Sequence, residues 1–147
     1  MHPKTQLQQD LKAAMRAGDV LRKSVIRMAM SAIKNAEIDK QAPLTEDEAM
    51  RILQSEAKKR RDSIIDYEKA GRADMVEQEK AELAIIETYL PKQLSRAEIS
   101  AEAQTVIDEV GATGMKDMGK VMRLLMPRFD GRADGKLVNQ IVRELLA

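Results

Sequence analysis

The chain has 147 residues, of which 33% are charged and only 2% aromatic, and its formal net charge is +1 at pH 7. That length allows one domain, or a medium-sized domain with a small one, and the scarcity of aromatic residues argues against a β-sandwich or barrel. The absence of Cys excludes disulfides and thiolate metal sites, and the single histidine, His2, lies at a terminus that we expect to be mobile.

The charge balance also limits the class of partner. Residues 1–94 carry 17 Lys and Arg against 16 Asp and Glu, and residues 95–147 carry eight against eight. A near-neutral chain is not a general nucleic-acid binder, so any such binding must rest on a local patch. The N-terminal residues are polar and no apolar run is long enough to span a bilayer, so we expect a cytoplasmic protein with no signal peptide and no membrane partner.

Apolar residues recur at helical spacing through the first part of the chain, which predicts four helices. Thr45 and Glu48 form a capping box at the start of the third helix. Gly71 can take the left-handed conformation that ends a helix, and Asp74 can cap the fourth. We therefore expect an all-α protein whose N-terminal four-helix unit, residues 1–94, is built on a long antiparallel hairpin of the third and fourth helices.

Within the KKRR run of the third helix, only Arg60 is predicted to lie on the apolar face, because at about 100° per residue Lys58 and Lys59 point away from it. Glu79 and Glu82 lie on the inward side of the fourth helix, so we expect a structural ion pair with Arg60 across the hairpin. We assign no catalytic residue, because the clustered carboxylates have no nucleophile, histidine or metal-ligand set beside them.

A small three-helix bundle is predicted over residues 95–147, after the helix stop at Pro91. Its fifth helix opens on a capping box at Ser95, and its sixth helix carries cations opposite the apolar side. From spacing alone, these cations fit either an RNA-binding patch or an ordinary solvated helix face. The candidate RNA-binding residues lie on the sixth helix and the turn that follows it: Lys116, Lys120, Arg123, Arg128, Arg132 and Lys136.

Several segments together resemble a known family. They are K-x-R-x-x-S-I from residue 58, A-G-R-x-D from residue 70 and YLPKQLS from residue 89. This combination resembles the YqeY family of small bacterial helical proteins over nearly the whole chain. The last third, with DMGKVM from residue 117 and GRADGKLVN from residue 131, also resembles the tail of the B subunit of the tRNA-dependent Asp/Glu amidotransferase.

The second resemblance implies a tail that helps to hold tRNA while other parts of the assembly supply the chemistry. It implies a non-catalytic accessory protein, bound to tRNA or to a tRNA-aminoacylation or amidation assembly, and the family label glutamine-dependent carbon–nitrogen ligase. We expect no cofactor and no metal, because the sequence has no Gly-rich phosphate loop, no Ser-rich amidase segment and no ligand cluster. The alternative is a helical protein–protein interaction adaptor that does not bind RNA, favoured by the near-zero net charge and the few aromatic residues.

Overall fold

The computed structural model describes all 147 residues and contains seven α-helices, one 3₁₀ turn and no strand, so the prediction of an all-helical protein is confirmed. No helix is both long enough and apolar enough to cross a bilayer. The chain divides into two compact units, Met1–Leu90 and Pro91–Ala147. The helices are α1 (Pro3–Ala17), α2 (Val20–Lys40), α3 (Glu46–Lys69), α4 (Ala73–Glu87), α5 (Arg96–Val110), α6 (Met118–Phe129) and α7 (Gly135–Leu146), and the 3₁₀ turn is Met115–Asp117.

The first unit has two adjoining clusters of buried aliphatic side chains, and α2 and α3 contribute to both. One cluster joins α1, α2 and α3, and the other joins α2, α3 and α4. α2 carries a wide apolar face because it contributes side chains to both clusters. Each fully buried Leu, Ile or Val contributes about 1.5–3 kcal/mol relative to exposure. The main members are Leu7, Ile26, Ile33 and Leu53 in the first cluster, and Val25, Ala57, Ile85 and Ile86 in the second.

The turn between α3 and α4 forms at the predicted glycine but not with the predicted cap. Gly71 has φ of 70°, and the N–H of Arg72 donates to the carbonyl oxygen of Tyr67 at 2.9 Å. Arg72 itself occupies the N-cap position of α4 and makes no side-chain cap. Asp74 lies one residue inside the helix, where its Oδ1 accepts from Nε of Arg72 at 3.3 Å. The predicted N-cap at Asp74 is therefore wrong, because α4 begins at Ala73 and places Asp74 inside the first turn.

The N-terminal histidine is also ordered by specific bonds. His2 is the N-cap of α1, and its Nδ1 accepts from the N–H of Lys4 at 3.1 Å. An accepting Nδ1 leaves the proton of the neutral ring on Nε2, which bonds to the carbonyl oxygen of Leu44 at 2.9 Å. His2 thereby ties the start of α1 to the loop between α2 and α3, so the expectation of a mobile His2 is wrong.

The second unit encloses one core between α5, α6 and α7. α5 begins with the capping box of Ser95 and Glu98, and the N–H of Leu94 donates to the carbonyl oxygen of Arg132 at 2.8 Å. α6 begins at Met118, so the sixth helix starts later than the sequence suggested. The core residues are Ile99, Ala103, Val106 and Ile107 on α5, Val121, Leu125 and Phe129 on α6, and Val138, Ile141, Val142 and Leu146 on α7.

Candidate nucleic-acid interface

Two cations on α6 project from the helix without any carboxylate beside them. Val121 and Leu125 are fully buried, and this apolar side turns Lys120 and Arg123 to solvent. Neither cation has an ion-pair partner within 4.0 Å. Lys116 is also exposed and unpaired, but it lies in the 3₁₀ turn before α6 and not on the helix where we placed it. The three residues keep their full charge available to a ligand.

Arg128 is on the same helix but its guanidinium is bound to α5. Its Nη1 donates to Oε1 of Glu102 at 2.9 Å, and its Nη2 donates to Oε2 of Glu109 at 2.6 Å. These two hydrogen bonds raise the pKa of Arg128 and keep it charged. Because two carboxylates offset its charge, Arg128 adds little positive potential to the surface of α6.

The two remaining candidate cations lie around the turn between α6 and α7. Nε of Arg132 donates to the carbonyl oxygen of Lys92 at 3.0 Å, so this side chain holds the start of the unit against the turn. Lys136 is in the first turn of α7, where its backbone N–H donates to Oδ1 of Asp134 at 2.8 Å. Its side chain is exposed and lies on a different helix from Lys120.

The outer face of α7 places three polar side chains that the sequence analysis missed, those of Asn139, Gln140 and Arg143, beside the predicted Lys136. An open depression there is lined by Lys136, Asn139, Gln140 and Arg143, together with the backbone at Gly135. Amide, ammonium and guanidinium groups can donate hydrogen bonds to phosphate and to ribose hydroxyls. The signal was present in the sequence, because these four polar side chains recur at i, i+3, i+4 and i+7 on one side of α7.

Charges in the second unit are segregated by helix. α5 carries one basic and four acidic residues, whereas α6 carries three basic residues and no acidic residue. Acidic residues elsewhere in the unit are largely engaged in hydrogen bonds within the fold. Oδ2 of Asp117 accepts from the N–H of Thr113 at 2.9 Å, and Asp134 caps α7. The positive side of the unit therefore lies along α6, although the chain as a whole is nearly neutral.

Arg60 in the first unit is a structural cation. It is only 7% exposed, its Nη1 donates to Oε2 of Glu82 at 2.9 Å, and the same atom lies 3.6 Å from Oε2 of Glu79. Its Nη2 contacts the sulfur of Met28 at 3.9 Å, and its Nε has no partner. No group of three or more His, Asp or Glu side chains in the chain is arranged to hold a metal ion.

The two lysines of the KKRR run are paired on the surface. Nζ of Lys58 lies 3.0 Å from Oδ2 of Asp62, and Nζ of Lys59 lies 3.2 Å from Oε1 of Glu56. Each pair joins residues one turn apart on the same helix, which is a common arrangement on solvated helix surfaces. This run therefore differs from Lys120 and Arg123, whose charges have no such partner.

These features define a class: helical proteins with two compact units, one of which presents an unpaired cationic helix face. The chain belongs to the YqeY family, described as "Yqey-like protein", whose profile matches residues 4–146. The expectation drawn from the resemblance to this family is thereby confirmed. The family's description does not mention tRNA or an amidotransferase, so that part of the expectation stays a proposal.

The chain is also similar to curated proteins from yeasts. The protein named "Altered inheritance of mitochondria protein 41, mitochondrial" from Lachancea thermotolerans is 37% identical over 94% of this chain and 78% of that protein. Proteins of the same name from Vanderwaltozyma polyspora and Kluyveromyces lactis are 38% and 41% identical, over 76% and 71% of this chain and 64% and 58% of their own lengths.

These names correct one prediction. We expected a cytoplasmic protein, but the relatives are named as mitochondrial proteins, so that prediction is wrong. The physical reason is that it rested on absences, namely no signal peptide and no apolar span. A helical protein without a membrane span has the same composition in either compartment, so those absences could not decide between them.

Proposed function

We propose that this protein binds tRNA through its second unit and carries out no chemistry on it. The observation that carries the proposal is the face formed by Lys116, Lys120 and Arg123, where three exposed cations have no carboxylate partner. The resemblance of the last third to the amidotransferase tail supports tRNA as the nucleic acid. By the same resemblance, the protein serves as an accessory to an assembly that aminoacylates or amidates tRNA.

The expected mode of contact is with phosphate and ribose along a folded tRNA surface. Phe129 is the only aromatic residue of the second unit and it is buried, so bases have no aromatic side chain on which to stack. Binding by three unpaired cations should give a slope of about −2 to −3 for the logarithm of the binding constant against the logarithm of salt concentration. Affinity should depend little on base sequence.

The test is a titration of bulk tRNA by gel shift at several salt concentrations. We expect Lys120→Glu combined with Arg123→Glu to abolish most binding and to reduce the salt slope to about −1, since one of three cations remains. The matched control is Lys58→Glu with Lys59→Glu, which makes the same charge change on a paired surface of the first unit. If wild-type protein binds no tRNA at low salt, the proposal is refuted.

One observation favours the adaptor alternative. Leu124 is 47% exposed and lies on α6 beside Lys120 and Arg123, so the cationic face contains an apolar side chain. Such a mixed face also fits a protein partner, because interfaces combine an apolar centre with charged surroundings. Leu124→Ser distinguishes the two functions: it should leave tRNA binding nearly unchanged, whereas a protein partner should lose affinity.

We further propose that the two units are separable domains with the boundary near Ser95. Residues 1–94 would form a four-helix domain on the α3–α4 hairpin, and residues 95–147 a three-helix domain. The two compact units of the structure and their separate cores support this division. Its test is the folding of the isolated fragments, described in the Discussion.

A further inference from the structure

The near-neutral charge of the first unit conceals two oppositely charged helix pairs. Residues 1–44, which include α1 and α2, contain eight Lys and Arg and four Asp and Glu, which gives +4. Residues 45–90, which include α3 and α4, contain eight and twelve, which gives −4. A partner that meets only the α1–α2 side therefore meets a cationic surface.

The two helices of the cationic pair form an open seam on their outer side. α1 and α2 are antiparallel neighbours, and Nζ of Lys4 on α1 lies 2.8 Å from Oε1 of Glu37 on α2 at one end. A depression at that end is lined by Gln8, Met30 and Lys34, among others. A second depression, at the turn between the helices, is lined by Met15, Val20 and Lys23 with neighbouring residues. We call the strip from one depression to the other the α1–α2 seam.

The bottom of the seam is apolar. Met15 is 54% exposed and Val20 is 73% exposed, so both offer apolar surface at the depression beside the turn. Met30 lines the other depression and Leu11 lies between the two on α1, and each is only partly buried against the core. Methionine is flexible and adapts to different partners, so two methionines in one seam suit a contact surface that must fit an incoming side chain.

The cations of the seam have no carboxylate partners. Lys23, Arg27 and Lys34 recur at i, i+4 and i+11 on the outer side of α2, and none of them has an ion pair within 4.0 Å. Two carboxylates border the seam, and both are engaged elsewhere. Asp19, at the turn, accepts from the N–H of Arg22 at 3.0 Å and lies 3.7 Å from Nε of the same residue. Glu37 is bound by Lys4 and by the N–H of Leu44, and these bonds lower its pKa. The seam therefore combines an apolar bottom with uncompensated positive charge along one edge.

We propose that the α1–α2 seam binds an acidic amphipathic helix of another protein. Its apolar stripe would lie against Met15, Val20 and Met30, and its carboxylates would pair with Lys23, Arg27 and Lys34. From Lys23 to Glu37 the seam is about 21 Å long at a rise of ~1.5 Å per residue, so it accommodates a helix of about 14 residues.

Two other occupants fit the seam less well. RNA would gain little from the exposed apolar side chains, and residues 1–66 contain no aromatic residue on which a base could stack. A second copy could offer its anionic α3–α4 pair, but Ile85 and Ile86 of that pair are buried in its own core, and Ile65, 40% exposed, is the one large apolar side chain that the pair exposes, which is too little for an apolar stripe. An acidic helix from another protein supplies both the charge and the apolar stripe. This inference concerns the first unit and does not depend on tRNA binding by the second.

The probe is a synthetic, end-capped amphipathic peptide of about 14 residues, matched to the seam by its rise of ~1.5 Å per residue, with Leu along one face and Glu on both flanks. The control peptide has Lys at every Glu position. Titrations of the full chain by fluorescence anisotropy should show at least about tenfold tighter binding of the acidic peptide, because opposite charge favours and like charge opposes association. Amide shifts measured by NMR should fall on α1 and α2.

Protein variants then locate the contact. Lys23→Glu with Lys34→Glu should reverse the preference between the two peptides, and Met15→Gln should weaken both by roughly tenfold. If the double variant is poorly folded by circular dichroism, Lys34→Glu alone, at an exposed position, should still reduce the preference for the acidic peptide. Lys120→Glu with Arg123→Glu is the matched control and should leave peptide affinity unchanged.

Several outcomes would overturn the inference. These are equal affinity for the acidic and basic peptides, amide shifts confined to α3 and α4, and preserved binding after reversal of Lys23 and Lys34. Competition by self-association, seen by sedimentation at the concentrations used, would assign the seam to a second copy. Displacement of the peptide by tRNA or by phosphatidylglycerol vesicles, with shifts at the same amides, would assign it to RNA or to an anionic membrane.

Discussion

Replacing Arg60 by alanine removes the positive partner of a buried carboxylate. Arg60 is 7% exposed and Glu82 is 9% exposed, and no other cation lies within ion-pairing distance of Glu82. Glu79, with a side chain 16% exposed, would lose the same partner. Removing one member of a buried pair typically costs about 3–5 kcal/mol, because the remaining charge stays desolvated. The unpartnered Nε of Arg60 and the partial access of Glu79 to water reduce that cost, so we expect about 2–4 kcal/mol.

The assay is urea unfolding followed by circular dichroism, with Lys59→Ala as the matched control. Lys59 has a side chain 71% exposed and pairs only with Glu56, so its removal should change the free energy of unfolding by less than about 0.5 kcal/mol. The double variant Arg60→Met with Glu82→Leu should recover most of the loss, since apolar residues of similar volume can replace a buried pair. Equal, small effects of Arg60→Ala and Lys59→Ala would refute the reasoning, as would additive effects at Arg60 and Glu82 in a double-mutant cycle.

Two further predictions concern stability. The hydrogen bonds from Lys40 and from the N–H of Thr45 lower the pKa of Glu48 to about 2, from an ordinary 4.5. A depressed folded-state pKa stabilises the fold above pH 4.5, and this contribution is lost as the pH falls towards 2, so Glu48→Gln should show a shallower loss of the urea midpoint over that interval. The isolated fragments should differ in stability. Residues 1–94 should melt cooperatively alone, whereas residues 95–147 should be only marginally stable, because a core that small rarely stabilises a fold without disulfides or a structural metal. A random-coil spectrum for the longer fragment would contradict the proposed boundary.

The helices themselves could be predicted because their signals are local. The capping boxes at Thr45 and Ser95 form as expected, with both side chains of each box in place. Periodic apolar residues identified the buried faces, and the left-handed glycine at Gly71 ended α3. Within one or two turns of a helix, the sequence determines which amides are free and which side chain can reach them.

What could not be predicted depends on small shifts of a helix end. Asp74 misses the cap of α4 because the helix begins at Ala73, and Lys116 lies outside α6 because a 3₁₀ turn precedes Met118. Sequence periodicity places such ends only to within a few residues, and a shift of one residue rotates a side chain by about 100°. His2 was missed for a related reason, since its second hydrogen bond goes to Leu44, which is distant in sequence.

Whether a cation is available to a ligand likewise depends on the side chains that neighbouring helices place beside it. Lys120, Arg123 and Arg128 lie on one helix. Periodicity directs Lys120 and Arg123 away from its apolar side, whereas Arg128, seven residues after the buried Val121, lies at the edge of that side. Only Arg128 faces carboxylates of α5, at 2.9 and 2.6 Å, so only its charge is compensated within the fold. The same distinction separates Lys34, which is unpaired, from Lys58, which is paired with Asp62. Net charge averages over such pairs, whereas a ligand responds to the cations that the fold leaves uncompensated, and in this protein these lie on α6 and along the α1–α2 seam.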